Sequence, residues 1–139
     1  MNQGSLTVNA KATLSGSGVT IVFTSSTGAN YATATINGGA TINLTPMTSG
    51  PTAGITLFAD RNIPVGTVFK LDGGASQVIT GATYMKTAAI DFTGGDASGT
   101  GCAQVVGDTI TFSGNSTFTV NCSGYGTKPI GSAASQVVE

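Results

Sequence analysis

Residues 107–124, GDTITFSGNSTFTVNCSG, contain two short runs in which apolar residues alternate with polar ones. Ile110 and Phe112 define the first run, Phe118 and Val120 define the second, and a Gly-Asn dipeptide lies between them. Alternation of this kind predicts β-strands, and a Gly-Asn pair between two strands is typical of a hairpin. The stretch would equally fit one coil of a solenoid, so the choice between the two folds depends on whether it recurs.

The stretch does recur along the chain. Residues 88–102, AAIDFTGGDASGTGC, align with residues 108–122, DTITFSGNSTFTVNC, at an offset of 20, and an Ile, a Phe, a Gly and the final Cys coincide. The shorter motifs LDGGAS (residues 71–76) and INGGAT (residues 36–41) lie 21 and 35 residues before the next copy, and a degenerate copy begins at Val8. Such recurrence predicts a solenoid with coils of about 20 residues rather than an isolated hairpin.

We therefore predict an all-β fold, a single-stranded right-handed parallel β-helix of about five irregular coils, as one domain over residues 1–139. Ile36, Leu71, Phe92 and Phe112 are expected to stack in one column of its core. A second family of apolar runs is expected to form another face: GVTIVF (18–23), AGITLF (53–58), TGATYM (80–85) and CAQVV (102–106). A β-sandwich is the alternative, because it also contains short strands at regular spacing.

The composition narrows the classes of function. The chain has 139 residues, of which 40% are hydrophobic and 8% charged, and its net charge is −1. Its five cationic residues are scattered, so we do not expect nucleic-acid binding. No apolar run approaches the roughly 20 residues that span a bilayer, so we expect no membrane contact by this fragment. The first residues, MNQGSLTV, lack signal-peptide features, which suggests either a cytosolic protein or an exported one that has been cut and given a start Met.

The two cysteines, Cys102 and Cys122, are separated by one 20-residue repeat. Adjacent parallel strands lie about 4.7 to 4.9 Å apart, within the ~4.4 to 6.8 Å between Cα atoms that a disulfide tolerates. We therefore predict a bridge between them, and with it an exported location. Free thiols in a cytosolic protein are the alternative, and two cysteines without any His make a poor zinc site.

Catalytic chemistry has few candidate residues. The sequence contains no His, which excludes Ser-His-Asp and Cys-His catalysis and leaves only carboxylate chemistry. Asp72, Asp91, Asp96 and Asp108 lie next to glycine-rich corners or strand starts, where Asp commonly forms turns. We therefore expect no catalytic, cofactor-binding or metal-binding residue and predict that the domain is not an enzyme.

The best candidate for a site is the loop Asp60, Arg61 and Asn62, because a loop that leaves a strand can present an acid and a base together. The more common role of such residues is structural, an Asp60–Arg61 ion pair that pins the loop. The loop is nevertheless the candidate interaction loop. Threonine pairs could also form outward ladders that suit ice or a crystalline polysaccharide, at positions 33/35, 109/111 and 117/119. Threonine more often simply satisfies the solvent face of a strand.

Several long segments also resemble a known family. They are GVTIVFTSSTGANYATATINGGATINLTPMTSGPTAGITLFADRN (residues 18–62), CAQVVGDTITFSGNSTFTVNCSGYGTKPIG (residues 102–131) and the terminal VVE. Together they resemble the C-terminal region of TadG-like proteins of the bacterial Tad, or Flp, tight-adherence pilus-assembly group. The resemblance extends from about Gly16 to Glu139.

This resemblance implies a non-catalytic structural or interaction domain in pilus assembly or envelope adhesion. Its partners would be other envelope or pilus-assembly proteins. The chain would be a piece of a membrane-anchored parent, exported to the periplasm or the cell surface, and no cofactor is implied. Binding or cleavage of a polysaccharide, or an ice-binding surface, remains the alternative.

Overall fold

The computed structural model of the chain describes residues 1–72, 77–93, 102–114 and 121–127. Within these ranges there are ten β-strands and no helix. The strands are β1 (Ser5–Val8), β2 (Thr13–Gly16), β3 (Ile21–Phe23), β4 (Thr33–Ile36), β5 (Thr41–Leu44), β6 (Ile55–Ala59), β7 (Val68–Leu71), β8 (Gln77–Ile79), β9 (Gly81–Thr93) and β10 (Ala103–Ser113).

Every pairing between these described strands is parallel. One sheet has seven strands and curls into a half-barrel, and the other has three, in the order β2-β5-β8. Parallel pairing does not fit the β-sandwich alternative, whose sheets are antiparallel. The protein is therefore all-β, with a curled parallel sheet that is compatible with a β-helix or solenoid-like fold.

The chain visits three sets of strands in turn. Face A comprises β1, β4, β7 and the second halves of β9 and β10. Face B comprises β2, β5 and β8. Face C comprises β3, β6 and the first halves of β9 and β10. Faces A and C belong to one sheet because β9 and β10 run continuously through both. Each return to a face adds one strand beside the previous one, as in a solenoid.

The predicted column of face A is confirmed. Register partners run from Val8 through Ile36, Leu71 and Phe92 to Phe112. The expectation that Phe112 belongs to the core was wrong, because its side chain is 51% exposed whereas Phe92 is 4% exposed. The reason lies in its position, since Phe112 belongs to the last of the described strands of this column.

The predicted second face is also confirmed, and it is face C. Its outward column contains Val22, Phe58, Tyr84 and Val106, which are register partners in β3, β6, β9 and β10. Alternate residues of the same strands, such as Leu57 and Thr83, are buried. Face B was not predicted as a separate set, because its strands are only three or four residues long and two of them directly follow the glycine motif.

The three faces enclose one hydrophobic core. Phe23 of face C and Phe69 of face A meet edge to face with ring centroids 5.2 Å apart, and Ile42 of face B belongs to the same buried cluster. Edge-to-face aromatic pairs add about 0.5 to 1.5 kcal/mol beyond the area they bury. The core therefore ties faces A and C together from within.

The glycine motif marks a corner where it is described. Residues 37–40 form the turn between β4 and β5, and Gly39 has φ +81°, a conformation that glycine adopts without steric cost. The preceding corner stacks on it, because the Lys11 N–H donates to the Gly39 carbonyl (2.9 Å) and the Asn37 side-chain amide donates to Oδ1 of Asn9 (3.0 Å). The corner predicted at Gly114-Asn115, the strand at Phe118 and Val120, and the motif residues 73–76 and 94 lie outside the described residues in whole or in part.

Candidate functional site

A groove of about 640 Å³ lies on the outer side of face C. The sheet contributes Ile55, Ala82, Tyr84, Gln104 and Val106 to its lining. Residues at odd positions of β9's first half are buried and those at even positions are partly exposed, so Ala82 and Tyr84 point away from the core. The groove therefore crosses three adjacent strands, β6, β9 and β10.

Two irregular segments complete the groove. The insert between β5 and β6 contributes Gly50, Pro51, Ala53 and Gly54, and the segment 121–127 contributes Gly126 and Thr127. The insert belongs to the proline- and glycine-rich piece PMTSGPTAG (residues 46–54), which separates β5 from β6. The second segment was not anticipated as part of a site.

Gly54 joins the two segments to the sheet. Its carbonyl accepts hydrogen bonds from the backbone N–H of Ala82 and from the hydroxyl of Thr127, both at 2.8 Å, and its N–H donates to Met47 O at 2.7 Å. Its φ is +79°, and a Cβ at this position would lie 2.4 Å from the Cα of Thr127 and 2.5 Å from its nitrogen. Only glycine lets the segment 121–127 approach this closely.

The cysteine pair lies beside the groove. The Sγ atoms of Cys102 and Cys122 are 2.12 Å apart, at disulfide distance, and their Cα atoms are 4.4 Å apart. Cys102 directly precedes β10, and its carbonyl accepts from the N–H of Gly81 at the start of β9. Cys122 is the second residue of the segment 121–127, so a bond between these cysteines attaches that segment to face C.

The predicted interaction loop follows β6 on the same face. The carboxylate of Asp60 accepts a hydrogen bond from the Asn62 N–H (3.0 Å) and one from the Thr24 hydroxyl (2.7 Å). These bonds, the one from Asn62 above all, hold the pKa of Asp60 below its usual value. Arg61 is not the partner of this carboxylate, so it is Thr24 and Asn62, rather than an Asp60–Arg61 pair, that hold the loop.

Arg61 instead connects the loop to the groove. Its guanidinium carbon lies 5.6 Å from the ring centroid of Tyr84, and the Tyr84 ring stacks on Phe58 with centroids 5.5 Å apart and an interplanar angle of 8°. Tyr84 belongs to the lining of the groove. The candidate loop and the groove therefore meet at one aromatic side chain.

Sequence reasoning missed Gly54, Phe58, Tyr84 and Thr127. Alignment of AGITLF with TGATYM on their shared glycine pairs Phe58 with Met85, not with Tyr84. The two rings meet because the register of β6 with β9 shifts between Ile55 and Leu57, which the sequence does not indicate. The contact between Gly54 and Thr127 joins residues 73 positions apart and has no counterpart in the repeat.

The threonine ladders are interrupted. Thr35 and Thr111 belong to one outward column of face A, but Lys70 and Asp91 lie between them. Thr33 pairs with Ser5 and Thr109 pairs with Ala89, so neither of these threonines continues a threonine ladder through these partners. The third predicted pair, at 117 and 119, lies outside the described residues.

A second, polar depression of about 410 Å³ lies on face B, lined by Ser15, Gly16, Ser17, Asn43 and Thr45.

The acidic residues predicted to be turn formers are dispersed: Asp72 follows β7, whereas Asp91 and Asp108 lie within strands. Asp96 lies outside the described residues. In the part of the chain that the structure describes, no group of three or more His, Cys, Asp or Glu could hold a metal ion.

None of the described residues belongs to a helix long and apolar enough to cross a membrane. Comparison of the chain with protein-family models, curated proteins and solved structures gave no match. Functional inference therefore depends on the geometry of the groove and on the resemblance noted in the sequence.

Proposed function

We propose that this domain is a non-catalytic binding module of a Tad/Flp-type pilus-assembly or envelope adhesion protein, and that it contacts its partner through the groove on face C and the adjacent Asp60–Asn62 loop. The groove is the observation that carries this proposal. Its volume of about 640 Å³ falls in the range typical of ligand pockets, ~300 to 1,000 Å³. The sequence resemblance to the C-terminal region of TadG-like proteins supports the biological setting.

We further propose that the parallel sheets belong to a right-handed β-helix of about five irregular coils. In support, the faces are visited in the order A, B, C from β1 to the first half of β9, and the column of face A advances by 28, 35, 21 and 20 residues. A solenoid of this kind is stiff because each coil is hydrogen-bonded to its neighbours. Such a body can hold a groove at a fixed distance from a membrane anchor on the parent protein.

We also propose that the domain is exported through a membrane-anchored parent and lies in the periplasm or on the cell surface. The cysteine pair at disulfide distance supports an oxidising compartment. The low charge of the chain and its threonine-rich strands are in keeping with an extracellular surface.

The test is genetic. The domain is deleted from the parent gene, and in separate strains Asp60→Ala and Arg61→Ala are introduced, after which surface pili and adherence are scored. We expect deletion to abolish piliation or adherence. The Arg61→Ala strain should be impaired more than the Asp60→Ala strain, because Arg61 is the residue of the loop that reaches Tyr84. Normal piliation and adherence without the domain would reject the proposal.

Polysaccharide binding is the second candidate. The stacked pair Phe58 and Tyr84 and the polar depression on face B favour it, since aromatic rings and amide or hydroxyl groups both contact sugars. Retarded migration in gels that contain polysaccharide would support it, and release of reducing sugar would support the cleaving variant of this alternative. The ice-binding alternative is weakened by the interrupted ladders of face A, and the absence of thermal hysteresis would dispose of it.

A further inference from the structure

We infer that the groove on face C takes an uncharged, apolar segment of a partner protein rather than a glycan or a charged peptide. This inference rests on the proposed binding function and specifies the chemistry of the partner. Three features of the groove carry it: the absence of charge among its described lining residues, the hydrogen bonds that some of its polar groups already make, and the way its two irregular segments are held.

The described residues that line the groove include no charged side chain. The described lining residues are three glycines, two alanines and one residue each of Pro, Ile, Val, Thr, Tyr and Gln. Arg61 lies at the edge of the groove, against Tyr84. A charged partner group that entered the groove beyond this edge would lose its hydration without meeting an ionic partner among the described lining residues, which costs several kcal/mol in buried settings. The complementary surface of the partner is therefore uncharged.

Several polar groups of the lining already have partners. The hydroxyl of Thr127 donates to the carbonyl of Gly54, and the N–H of Ala82 donates to the same carbonyl. The side chain or backbone of Gln104 makes an interaction of its own, and the Tyr84 ring is stacked on Phe58. A glycan requires many hydrogen bonds to replace those it makes with water, whereas an apolar side chain requires only that water be displaced.

The groove is also held in shape before any partner arrives. Gly54 ties the insert to Thr127 and to β9, and the Cys102–Cys122 pair attaches the segment 121–127 to β10. Tyr84 is fixed between its contacts with Phe58 and Arg61. Preorganisation of this kind reduces the entropy lost on binding, and an aromatic residue within an uncharged, apolar patch is typical of the centre of a protein interface.

The experiment is a selection with the complete 139-residue chain. A phage-displayed library of random peptides is panned on the immobilised domain, and synthetic versions of the enriched peptides are titrated into labelled protein by NMR. We expect the enriched sequences to be apolar and uncharged, and their addition to move the backbone amide signals of Ala82, Gln104 and Val106. A neutral glucose hexasaccharide, titrated in parallel, should leave these signals unmoved.

Matched variants connect binding to the groove. Gly54→Ala should weaken peptide binding about tenfold or more, equivalent to ~1.4 kcal/mol, because the methyl group displaces the segment 121–127. Gly66→Ala is the control, since Gly66 has a similar φ of +82° but nothing within 4 Å of an added Cβ. If Gly54→Ala fails to fold, Val106→Asp replaces it, with Thr111→Asp on the outward side of the same strand as its control.

Several outcomes would overturn the inference. Enrichment of charged peptides, no enrichment at all, or equal binding by Gly54→Ala or Val106→Asp and their controls would each do so. Movement of the groove signals by the hexasaccharide would assign the site to a glycan instead. Nuclear Overhauser contacts between Val106 and residues 128–139 in the free protein would assign it to the chain itself. If deletion of the domain abolishes piliation but no apolar peptide is enriched, the partner chemistry alone is rejected. If apolar peptides bind the groove but deletion of the domain leaves piliation and adherence normal, the proposed function alone is rejected.

Discussion

The column of face A leads to a graded prediction for truncation of its two phenylalanines. Phe92 is 4% exposed and lies between Leu71 and Phe112, whereas Phe112 is 51% exposed. Phe92→Ala should lower the free energy of unfolding by ~3 to 5 kcal/mol, because it removes buried surface and leaves a cavity. Full burial of a Phe is worth about 1.5 to 3 kcal/mol, so Phe112→Ala, with half of the side chain already in water, should cost only ~1 kcal/mol.

The assay is urea-induced unfolding of the two variants and of the double variant, followed by circular dichroism. Changes in midpoint at a constant m value report stability directly. The two rings stack with centroids 5.3 Å apart, so the double variant should lose about 0.5 to 1.5 kcal/mol less than the sum of the single variants. Asp91→Ala, at an outward position of the same strand, serves as the control and should stay within about 0.5 kcal/mol of wild type.

The reasoning would be refuted by equal costs for the two phenylalanines. Equal costs at the high end would mean that Phe112 is as buried as Phe92, and equal costs at the low end would mean that Phe92 does not lie in the core. Additive losses in the double variant would show that the rings do not meet, which would contradict the register of β9 with β10.

Three further predictions concern the cysteines, the loop and the stack on face C. Alkylation and mass measurement of native, unreduced protein should find no reactive thiol at Cys102 or Cys122, and loss of the bridge over their 20-residue separation should cost ~3 kcal/mol in the chain-entropy model. The pKa of Asp60 is lower in the folded protein than in the unfolded chain, where it is about 3.9. The ionised carboxylate therefore stabilises the fold at pH values above the unfolded pKa, and this stabilisation is lost as the pH falls through the folded pKa. Urea midpoints should therefore fall more for wild type than for Asp60→Asn on acidification, and an identical fall would contradict the loop geometry. Arg61→Ala should cost about 0.5 to 1 kcal/mol through its contact with Tyr84, whereas Arg61→Lys should retain part of it; equal losses in the two variants would exclude the contact.

The columns of the fold could be predicted from the sequence because they repeat. A buried position of one strand must pack against the same position of its neighbour, so Ile36, Leu71 and Phe92 are of similar apolar character and their spacing gives the register directly. The burial of Phe112 could not be predicted in the same way. A repeat identifies members of a column, but it does not indicate which member lies at an exposed end.

The site was predicted less well, because its contacts are not periodic. The Asp60–Asn62 loop was selected for its charges, but Asp60 accepts from Thr24 and Asn62, and its neighbour Arg61 stacks on a ring. Thr24 precedes Asp60 by 36 residues, so the bond becomes apparent only once β3 and β6 are known to be paired. The groove likewise depends on one glycine and on a segment that follows all of the described strands.

The irregular spacing of the column also explains why the groove lies where it does. Between Phe92 and Phe112 the chain needs 20 residues to return to face A, whereas between Ile36 and Leu71 it uses 35. The longer passage contains both the insert between β5 and β6 and the loop between β6 and β7, which flank the same strand of face C. A coil of 20 residues can close without these additional residues. Because ordering each of them costs about 1 to 2 kcal/mol of backbone entropy, other interactions must hold them in place. Their order is maintained by specific contacts, through Gly54 to Thr127 and through Arg61 to Tyr84. Because both contacts converge on the groove, we expect shortening of the insert to abolish peptide binding while the columns of face A stay intact, a separation that NMR spectra of the shortened protein would test.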